Sequence, residues 1–583
     1  MYKALEKSAV VGLFLAFVSA LCTANGRAAQ VKEELMVTNS APGRPGGIIT
    51  VAARSDPKTL NPVLAVDEAT REIIDSMNAD LIHINRETQK TEPALAKSWS
   101  VSRDGKTYML QLRRGLRFSD GQPFRADDVV FSFQLLLDEK VHSPQRDLLI
   151  VGGKPITVEK VGDYTVRFQL AQPYAAAERL FDGLAILPKH LLENPYASGT
   201  FAQSWGVSAP PSQFAGLGPF RLKEYVPGQR IVLERNPYYW KTDREGHRLP
   251  YLDELVFLFV PSEDAQVIRF QAGDTDILSR FSAQNFAVLQ REQGAKGYEL
   301  EDLGPGLEYD FLFFNLNDLT GKKLPQIRQK QPWFQDLRFR QAVSAAIDRE
   351  GIVRLVYNGR GTPLWSQVTP GNKLWLDASL AHPPQLLDHA RELLKSAGFS
   401  WNSSGSLIDA QGRPVEFSIL TSSSNAERSK MATIVQDDLT QLGMNVHVVS
   451  LDFGAMVDRL LNSFDYEAAV MSIGSGDSDP TAEMNVWLSS GETHLWNLTE
   501  ESKPATPWET EMDKLMNQQL ITLNYARRKE LYDQVQQIVA QDLPVICLAS
   551  PHILVGAKNR VGNFHPAILA PYALWNVDQL YVH

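Results

Sequence analysis

The residues best suited to chemistry lie in one glycine-rich loop, SIGSGDSDP at 472–480. Asp477 and Asp479 could bind a cation or a protonated amine through their carboxylate oxygens, and Ser475 could donate or accept a hydrogen bond. The preceding segment, 467–472, predicts a buried strand. Because open α/β sheets bind ligands beyond the carboxyl ends of their strands, we expect a binding loop here, with a plain surface loop as the alternative.

Catalytic motifs are missing from the sequence. It contains neither HExxH nor CxxC, and its 11 histidines do not have the spacing of a zinc site. TGKK at 320–323 lacks a phosphate-loop glycine and has Lys323 where serine or threonine belongs, and no GxSxG can be written across 472–480. The sequence therefore predicts no enzyme, metal site or cofactor, with a secreted hydrolase as a remote alternative.

Alternating strands and helices are predicted to position the loop. In the second half of the chain, strand patterns at 415–420, 446–451 and 467–472 alternate with helical periodicity at 388–397, 426–442 and 453–462. This βαβ order is typical of an α/β domain. Gly398 and Gly443 each follow a helix, in the position of a C-cap glycine.

The first half of the chain contains strands, turns and further helical segments. Tyr108, Leu110 and Leu112 alternate with more polar residues, as in a strand with one buried face, and Asp127 begins an apolar run where acids favour a helix N-terminus. The loop at 204–219, rich in Pro, Gly and Ser, indicates a domain boundary. Helical spacing also predicts helices at Asp67–Ile82, Ala175–Leu184 and Leu337–Tyr357.

Length and charge restrict the class of protein. The 583 residues exceed the ~100–200 of a single domain, so we expect two or three lobes. With 44% hydrophobic and 22% charged residues the chain has the composition of a globular protein. Its formal charge is −10, and loss of residues 1–28, which carry +2, would leave −12. This acidic balance argues against a nucleic-acid partner.

The N-terminus has the pattern of a cleavable secretory signal peptide. Lys3 and Lys7 precede an apolar run at 9–21, and small residues follow it. Thirteen residues fall short of the ~20 that a membrane-spanning helix needs. We predict cleavage before Ala29 and a periplasmic protein.

The chain has two cysteines, Cys22 and Cys547. A lipid anchor on Cys22 is the less favoured alternative, because Leu21 stands where lipoprotein signals usually carry a small residue. After signal cleavage Cys547 would have no partner for an internal disulfide, and the apolar run LPVICLA around it predicts a buried core thiol.

Several segments together resemble one family. EPALAKSWSVSRDGKTYMLQLRRGLRFSDGQPFRADDVVFSF at 92–133 is similar to the signature of the extracellular solute-binding proteins of family 5, which include the peptide- and nickel-binding components of ABC importers. The family's order and spacing are also followed by TLNP at 59–62, GLGPFRLKEYVPGQRIVLERNPYYW at 216–240, LRFRQAVSAAIDREGIVRLVYNGRGTP at 337–363 and FDYEAAVMSIGSGDSDP at 464–480. The similarity extends over essentially all of 47–583.

The resemblance implies a fold and a partner. The fold would be the α/β, two-lobed periplasmic binding protein fold, with an extra inserted domain and a ligand cleft between the lobes. The protein would be a monomer that captures a peptide or similar small polar solute and delivers it to the membrane permease of an ABC importer. The implied division is a signal peptide at 1–28, a flexible linker at 29–46, lobe I at 47–92, 205–305 and 545–583, its inserted domain at 93–204, and lobe II at 306–544.

The predicted ligand-binding residues are Ser475, Asp477 and Asp479 on the loop, Trp487 and Trp496 as aromatic walls, and Thr59 and Asn61 from the first lobe, although Asn61 could equally cap its own turn. In peptide binders of the family a Trp and an Asp precede the acidic-Pro pair, and the Asp holds the peptide amino terminus. Ile473 and Gly476 occupy those positions here. An oligosaccharide stacked on tryptophan faces and a nickel chelate therefore remain as alternative cargoes.

Overall fold

A computed structural model describes residues 32–498 and 504–583. The predicted signal peptide at 1–28, its cleavage site and Cys22 lie outside the described residues. No helix among the described residues is long and apolar enough to cross a membrane.

The segment predicted to be a flexible linker is docked on the protein where it is described. Met36–Val37 pairs in parallel with Lys241–Thr242, and Glu34 forms an ion pair with Lys97 at 2.8 Å. Backbone pairing therefore docks Met36–Val37, within a stretch whose prolines and glycines predict a flexible linker, and the bounds of that linker stay a prediction.

One large sheet runs through the molecule. Its shared strand is Ile546–Lys558, which pairs with Ile277–Ser279 toward one end of the sheet and with Glu308–Phe314 toward the other. In order across the sheet the strands are Phe220–Val226, Arg230–Arg235, Glu254–Phe259, Ile48–Ala53, Ile277–Ser279, Ile546–Lys558, Glu308–Phe314, Ala468–Gly474, Glu416–Ser422 and Asn445–Leu451, and Tyr298–Pro305 and Gly361–Pro363 also pair with the shared strand.

The shared strand joins two lobes. We call the body built on Phe220–Val226 through Ile277–Ser279 lobe I, and the body built on Glu308–Phe314 through Asn445–Leu451 lobe II. Alternate residues of Glu308–Phe314 enter different cores of lobe II, Phe311 and Phe313 on one face and Leu312 and Phe314 on the other. The predicted α/β, two-lobed architecture is confirmed, whereas the residue boundaries of its domains stay predictions.

A second, four-stranded sheet packs beside lobe I. Its strands, in order, are Ala96–Val101, Thr107–Leu112, Thr165–Gln169 and Thr157–Gly162. Tyr108, Leu110 and Leu112 are buried, as their alternation predicted, and they share one hydrophobic core with lobe I. We call residues 96–203, which include this sheet, the inserted segment.

Helices cover the sheets. The α-helices are Glu68–Asp75, Ala126–Leu137, Lys189–Ala197, Glu263–Ala272, Ala283–Gln290, Gln293–Lys296, Pro325–Gln335, Leu337–Ala346, Arg349–Val356, Leu387–Ser396, Ala426–Thr440, Phe453–Asp458, Met484–Trp487, Pro507–Ile521 and Tyr525–Asp542. Small two-stranded ladders pair Ile82–Ile84 with Thr91–Pro93, Ile150–Val151 with Lys154–Pro155, Ser400–Trp401 with Leu407–Ile408, and Val561–Gly562 with Tyr581–Val582. Gly398 and Gly443 have φ of +89° and +81°, which confirms their role as C-caps.

Three predicted helices differ from those in the structure. The segment predicted at 337–357 is two helices, because Ile347 is extended and the Asp348 side chain caps a new helix by accepting the Gly351 N–H at 2.8 Å. The segment at 175–184 contains only a 3₁₀ turn, Ala177–Phe181, since Asp182 returns to extended backbone. The segment at 67–82 is helical only at Glu68–Asp75.

Candidate functional site

The loop predicted from the sequence follows the strand Ala468–Gly474, which lies between Glu308–Phe314 and Glu416–Ser422 in lobe II. It leaves the sheet where lobe II meets the inserted segment. Ser475 donates its Oγ–H to the Asp477 carbonyl at 2.5 Å, which turns the loop back on itself. The loop therefore stands at a boundary between lobe II and the inserted segment, and its role in ligand binding stays a prediction.

Asp477 is bound across this boundary by Arg179. The guanidinium, which lies on the 3₁₀ turn Ala177–Phe181 of the inserted segment, contacts both carboxylate oxygens of Asp477. It also donates to Ser478 Oγ at 2.8 Å and to the Gln89 carbonyl at 3.2 Å. The two charged side chains are only 12% and 22% exposed, so the pair is largely shielded from solvent. Burial raises the pKa of Asp477, and the charge of Arg179 opposes that rise.

A second contact between the lobes comes from Gln89. This residue lies in the turn between Ile82–Ile84 and Thr91–Pro93, is fully buried and has φ of +61°. Its Nε2 donates to the Gly371 carbonyl at 2.7 Å, and its Oε1 accepts from the Lys373 N–H at 3.2 Å. One amide side chain thus uses its donor and its acceptor on a single segment of lobe II.

A third contact joins the inserted segment to the last turn of the helix Pro507–Ile521 in lobe II. The Ala175 N–H donates to the Leu520 carbonyl at 2.7 Å. With Arg179 and Gln89, this contact closes the inserted segment and its neighbouring hairpin against lobe II. The structure is therefore a closed arrangement of the two lobes.

Lobe I contributes acidic groups near this boundary. Glu72 and Asp75 retain contact with solvent, yet desolvation by the surrounding protein raises the pKa of Glu72 to about 8 and that of Asp75 to about 7. Poor hydration makes the ionised form of a carboxylate costly. Such groups prefer a cationic neighbour or a proton.

A neighbouring cluster has the spacing of a metal site, but an arginine side chain already supplies its positive charge. Single ligand atoms of Asp80, His83 and Asp182 lie within 4.8 Å of one another. Arg86 donates to Asp182 through two nitrogens, at 3.0 and 3.1 Å. Since the guanidinium supplies the positive charge that the carboxylate needs, we assign no metal to this cluster.

The sequence matches a known family. The profile described as bacterial extracellular solute-binding proteins, family 5, middle region, matches residues 90–494. The chain belongs to this family.

Relatives of the family 5 chain cover most of its length. A probable ABC transporter-binding protein of Deinococcus radiodurans is 27% identical over 549 residues, 90% of each chain. The oligopeptide-binding protein AppA of Bacillus subtilis is 26% identical over 535 residues, again 90% of each chain.

Solved structures show the same fold. The structure of AppA from Bacillus subtilis in complex with a nonapeptide has a TM-score of 0.67 at 24% identity, covering 93% of this chain and 99% of that one. MelB from Agrobacterium fabrum C58 in complex with stachyose also has a TM-score of 0.67, at 23% identity, covering 93% of this chain and 85% of the other. One fold thus accommodates a peptide in one protein and a sugar in the other.

Asp479 of the family 5 chain is a structural residue. Its two oxygens accept from the Arg528 guanidinium at 2.6 and 2.7 Å, and one also accepts from the Thr481 N–H at 3.0 Å. Burial opposes ionisation, but Arg528 outweighs that effect, and the pKa of Asp479 is lowered. The predicted ligand contact is therefore corrected: with both oxygens engaged inside lobe II, Asp479 holds the loop in place.

The lobe I residues predicted for the site fix a turn. Asn61 is 1% exposed, accepts from the Val63 N–H at 3.1 Å and donates to the Ser204 carbonyl at 3.3 Å. Thr59 Oγ1 accepts from the Asn61 N–H at 3.1 Å. Asn61 therefore caps its own turn, which was the alternative that the sequence left open, and Thr59 supports the same turn.

The two predicted aromatic walls are core residues instead. Trp487 and Trp496 are 1% and 0% exposed, with ring centroids 5.5 Å apart, and they belong to a hydrophobic core of lobe II. Their predicted place in the site is corrected, because neither ring has a face left for a ligand. Cys547 is likewise buried, and burial raises the pKa of its thiol to about 12, which confirms the predicted core thiol.

Sequence reasoning missed Arg179 and Gln89. Arg179 lies in AERLF, which had only helical spacing to distinguish it, and its partner is 298 residues away. Gln89 lies in an ordinary polar turn. Only the folded arrangement of the lobes brings these side chains to the boundary.

Proposed function

We propose that this protein is a periplasmic solute-binding component of an ABC importer that captures a short peptide between its lobes and delivers it to a membrane permease. The observation that carries the proposal is the set of contacts between lobes at Arg179–Asp477 and Gln89–Gly371. Membership of family 5 and the names of its peptide-binding relatives support the same conclusion.

Closure of the two lobes is the mechanism. A solute that touches both lobes binds the closed state more tightly than the open state, so it shifts the balance toward closure. A change from 1:99 to 99:1 needs about 5.5 kcal/mol of differential affinity. Contacts such as Arg179–Asp477 hold part of the closed state together before any solute contributes.

The cargo proposal rests on the chemistry left available at the boundary. Asp477 is occupied by Arg179, and Gly476 carries no side chain, so the loop offers no unpaired carboxylate for a peptide amine. Hydrogen bonds to an extended peptide backbone need no such anchor. Burial of Trp487 and Trp496 removes the stacking faces that had suggested an oligosaccharide, which makes a peptide the better candidate.

The remaining features of the proposal follow from the same role. The protein would be exported by a cleavable signal, act as a monomer in the periplasm and perform no chemistry on its cargo. Incubation of the pure protein with peptides, followed by mass spectrometry, should return the peptides intact. Turnover of any of them would favour a secreted hydrolase.

Titration calorimetry with peptides of two to five residues tests the proposed cargo. We expect heat and a raised melting temperature for at least one length class, together with a smaller radius of gyration in solution scattering. Stachyose and a nickel–histidine chelate serve as the competing probes. Binding of either of these, with no response to any peptide, would overturn the peptide proposal.

A further inference from the structure

Lobe II contains a small polar cavity next to the loop at 475–479. Its walls include Gln367, Thr369, Ser475, Glu483 and Tyr532, and the cavity measures about 20 Å³ for the centre of a water-sized sphere. This is room for a water molecule or a small polar group of a ligand.

Most polar side chains around the cavity are engaged within the protein. Thr369 Oγ1 donates to the Gly306 carbonyl at 2.5 Å, and Glu483 accepts from Trp487 Nε1 at 2.7 Å. Asn372 donates to the Ser478 carbonyl at 2.8 Å, and Asp479 is paired with Arg528. These groups shape the cavity and have little hydrogen-bonding capacity left.

Gln367 is the exception. It is 2% exposed, and neither its Nε2 nor its Oε1 has a hydrogen-bond partner among the described residues. Burial raises the pKa of Tyr532, and the nearby Gln367 amide opposes that rise, so the two side chains lie close together, although no donor–acceptor pair between them has hydrogen-bond geometry. A buried amide with both its donor and its acceptor unpaired is costly, and native structures nearly always give such a group a partner.

We propose that Gln367 is the binding residue of a subsite that receives an uncharged amide group of the solute. An Asn or Gln side-chain amide presents a donor and an acceptor on one side, and so do the N–H and C=O of a single residue in an extended peptide. Either arrangement complements the Oε1 and Nε2 of Gln367. The amide belongs to the peptide backbone or to an Asn or Gln side chain. This subsite deepens the proposed function and rests on it for the identity of the cargo.

The subsite lies on the segment of lobe II that contacts the other lobe in the closed arrangement. Gln367 precedes Gly371 and Lys373 by a few residues, and those two backbone groups receive the Gln89 side chain from the other lobe. Ser475 and Ser478 of the loop also line the cavity, and Ser478 accepts from Arg179. A solute amide on Gln367 would therefore bind beside the residues that hold the lobes together.

Two measurements on Gln367→Met test the proposal. The variant keeps the volume of the side chain and removes both unpaired polar atoms. We expect a higher melting temperature for the solute-free protein and at least a tenfold weaker affinity for tetraalanine. Gln385→Met is the control, because Gln385 Nε2 donates to the Ala346 carbonyl at 2.7 Å. It should melt lower and bind tetraalanine as the wild type does.

The outcomes separate the subsite from the proposed function. If Gln367→Met melts lower than the wild type, or binds both tetraalanine and a tetrapeptide with one Asn or Gln as tightly as the wild type does, the subsite is overturned. If the wild type binds a tetrapeptide with one Asn or Gln more tightly than tetraalanine, and Gln367→Met loses that gain, the bound amide belongs to a side chain. If Gln367→Met weakens the binding of both peptides equally, the bound amide belongs to the backbone. If the wild type binds no peptide, the peptide cargo fails, and titration of the ¹⁵N signals of the Gln367 amide with acetamide decides the subsite. A shift of those signals would support it, and their invariance would overturn it.

Discussion

The Arg179 guanidinium and the Asp477 carboxylate, 298 residues apart in the chain, form an ion pair that joins the inserted segment to lobe II. Each lobe contributes one of the two charges. In the closed arrangement each charge compensates the burial of the other, so that arrangement depends on the presence of both residues.

Arg179→Met should open the solute-free protein. Removal of one partner from a largely buried pair is strongly destabilising to the state that contains it, so we expect the closed-to-open ratio to fall at least about tenfold, or about 1.4 kcal/mol. Solution scattering should report a larger radius of gyration. Arg167→Met, which removes an exposed pair with Glu159 in the same inserted segment, is the control and should leave the scattering unchanged. Equal profiles for both variants would contradict the role of Arg179.

Gly476→Asp should create an anchor for a peptide amine. A Cβ built at Gly476 meets no described atom within 4 Å, so a side chain can begin there without a clash. A charge-assisted hydrogen bond contributes about 1.5–3 kcal/mol, which predicts at least about tenfold tighter binding of peptides with an unblocked amino terminus. Gly476→Asn has the same size without the charge and should gain much less. A similar gain for N-acetylated peptides, measured by calorimetry, would show that the carboxylate does not hold the amine.

Asp479→Asn should destabilise lobe II. The substitution leaves Arg528, which is 5% exposed, without its charged partner, and breaking such a pair costs about 3–5 kcal/mol. Denaturant unfolding measures this loss of free energy. Asp388→Asn removes a pair whose acid is 97% exposed and should change little. A double variant, Asp479→Asn with Arg528→Met, should recover part of the loss, and additive losses would argue against the coupling.

Glu483→Gln should become more stable than the wild type as the pH rises. Desolvation raises the pKa of Glu483 from 4.5 to about 7, so the folded state binds a proton more tightly than the unfolded chain does. The raised pKa contributes fully to the free energy of unfolding below pH 4.5. This contribution, up to about 3 kcal/mol, is lost as the pH rises to about 7. The free energies of unfolding of both proteins, compared from pH 5 to pH 8, check this. A difference that does not change with pH would rule out the raised pKa.

Sequence pattern predicted the elements well where one periodicity dominates. The strand around Tyr108 and the glycine caps at Gly398 and Gly443 are local features, and the structure has them. The interruption at Ile347–Asp348 was missed because apolar spacing continues across it, whereas the break comes from one side-chain cap.

The site was predicted less completely than the fold. The loop at 475–479 was located correctly because it follows a strand end. The basic partners of Asp477 and Asp479 were not predicted, because Arg179 and Arg528 reach these acids only through the folding of distant segments. Trp487 and Trp496 were wrongly predicted to line the site, because residue type alone does not distinguish a core ring from an exposed one.

The shared strand Ile546–Lys558 has a consequence for the order in which the protein is built. Both halves of the large sheet hydrogen-bond to it, and it follows the other strands of both halves in the sequence. The strands that precede it can therefore complete their pairing only after residues 546–558 have joined them. The two lobes consequently do not acquire their final backbone hydrogen bonding independently of each other.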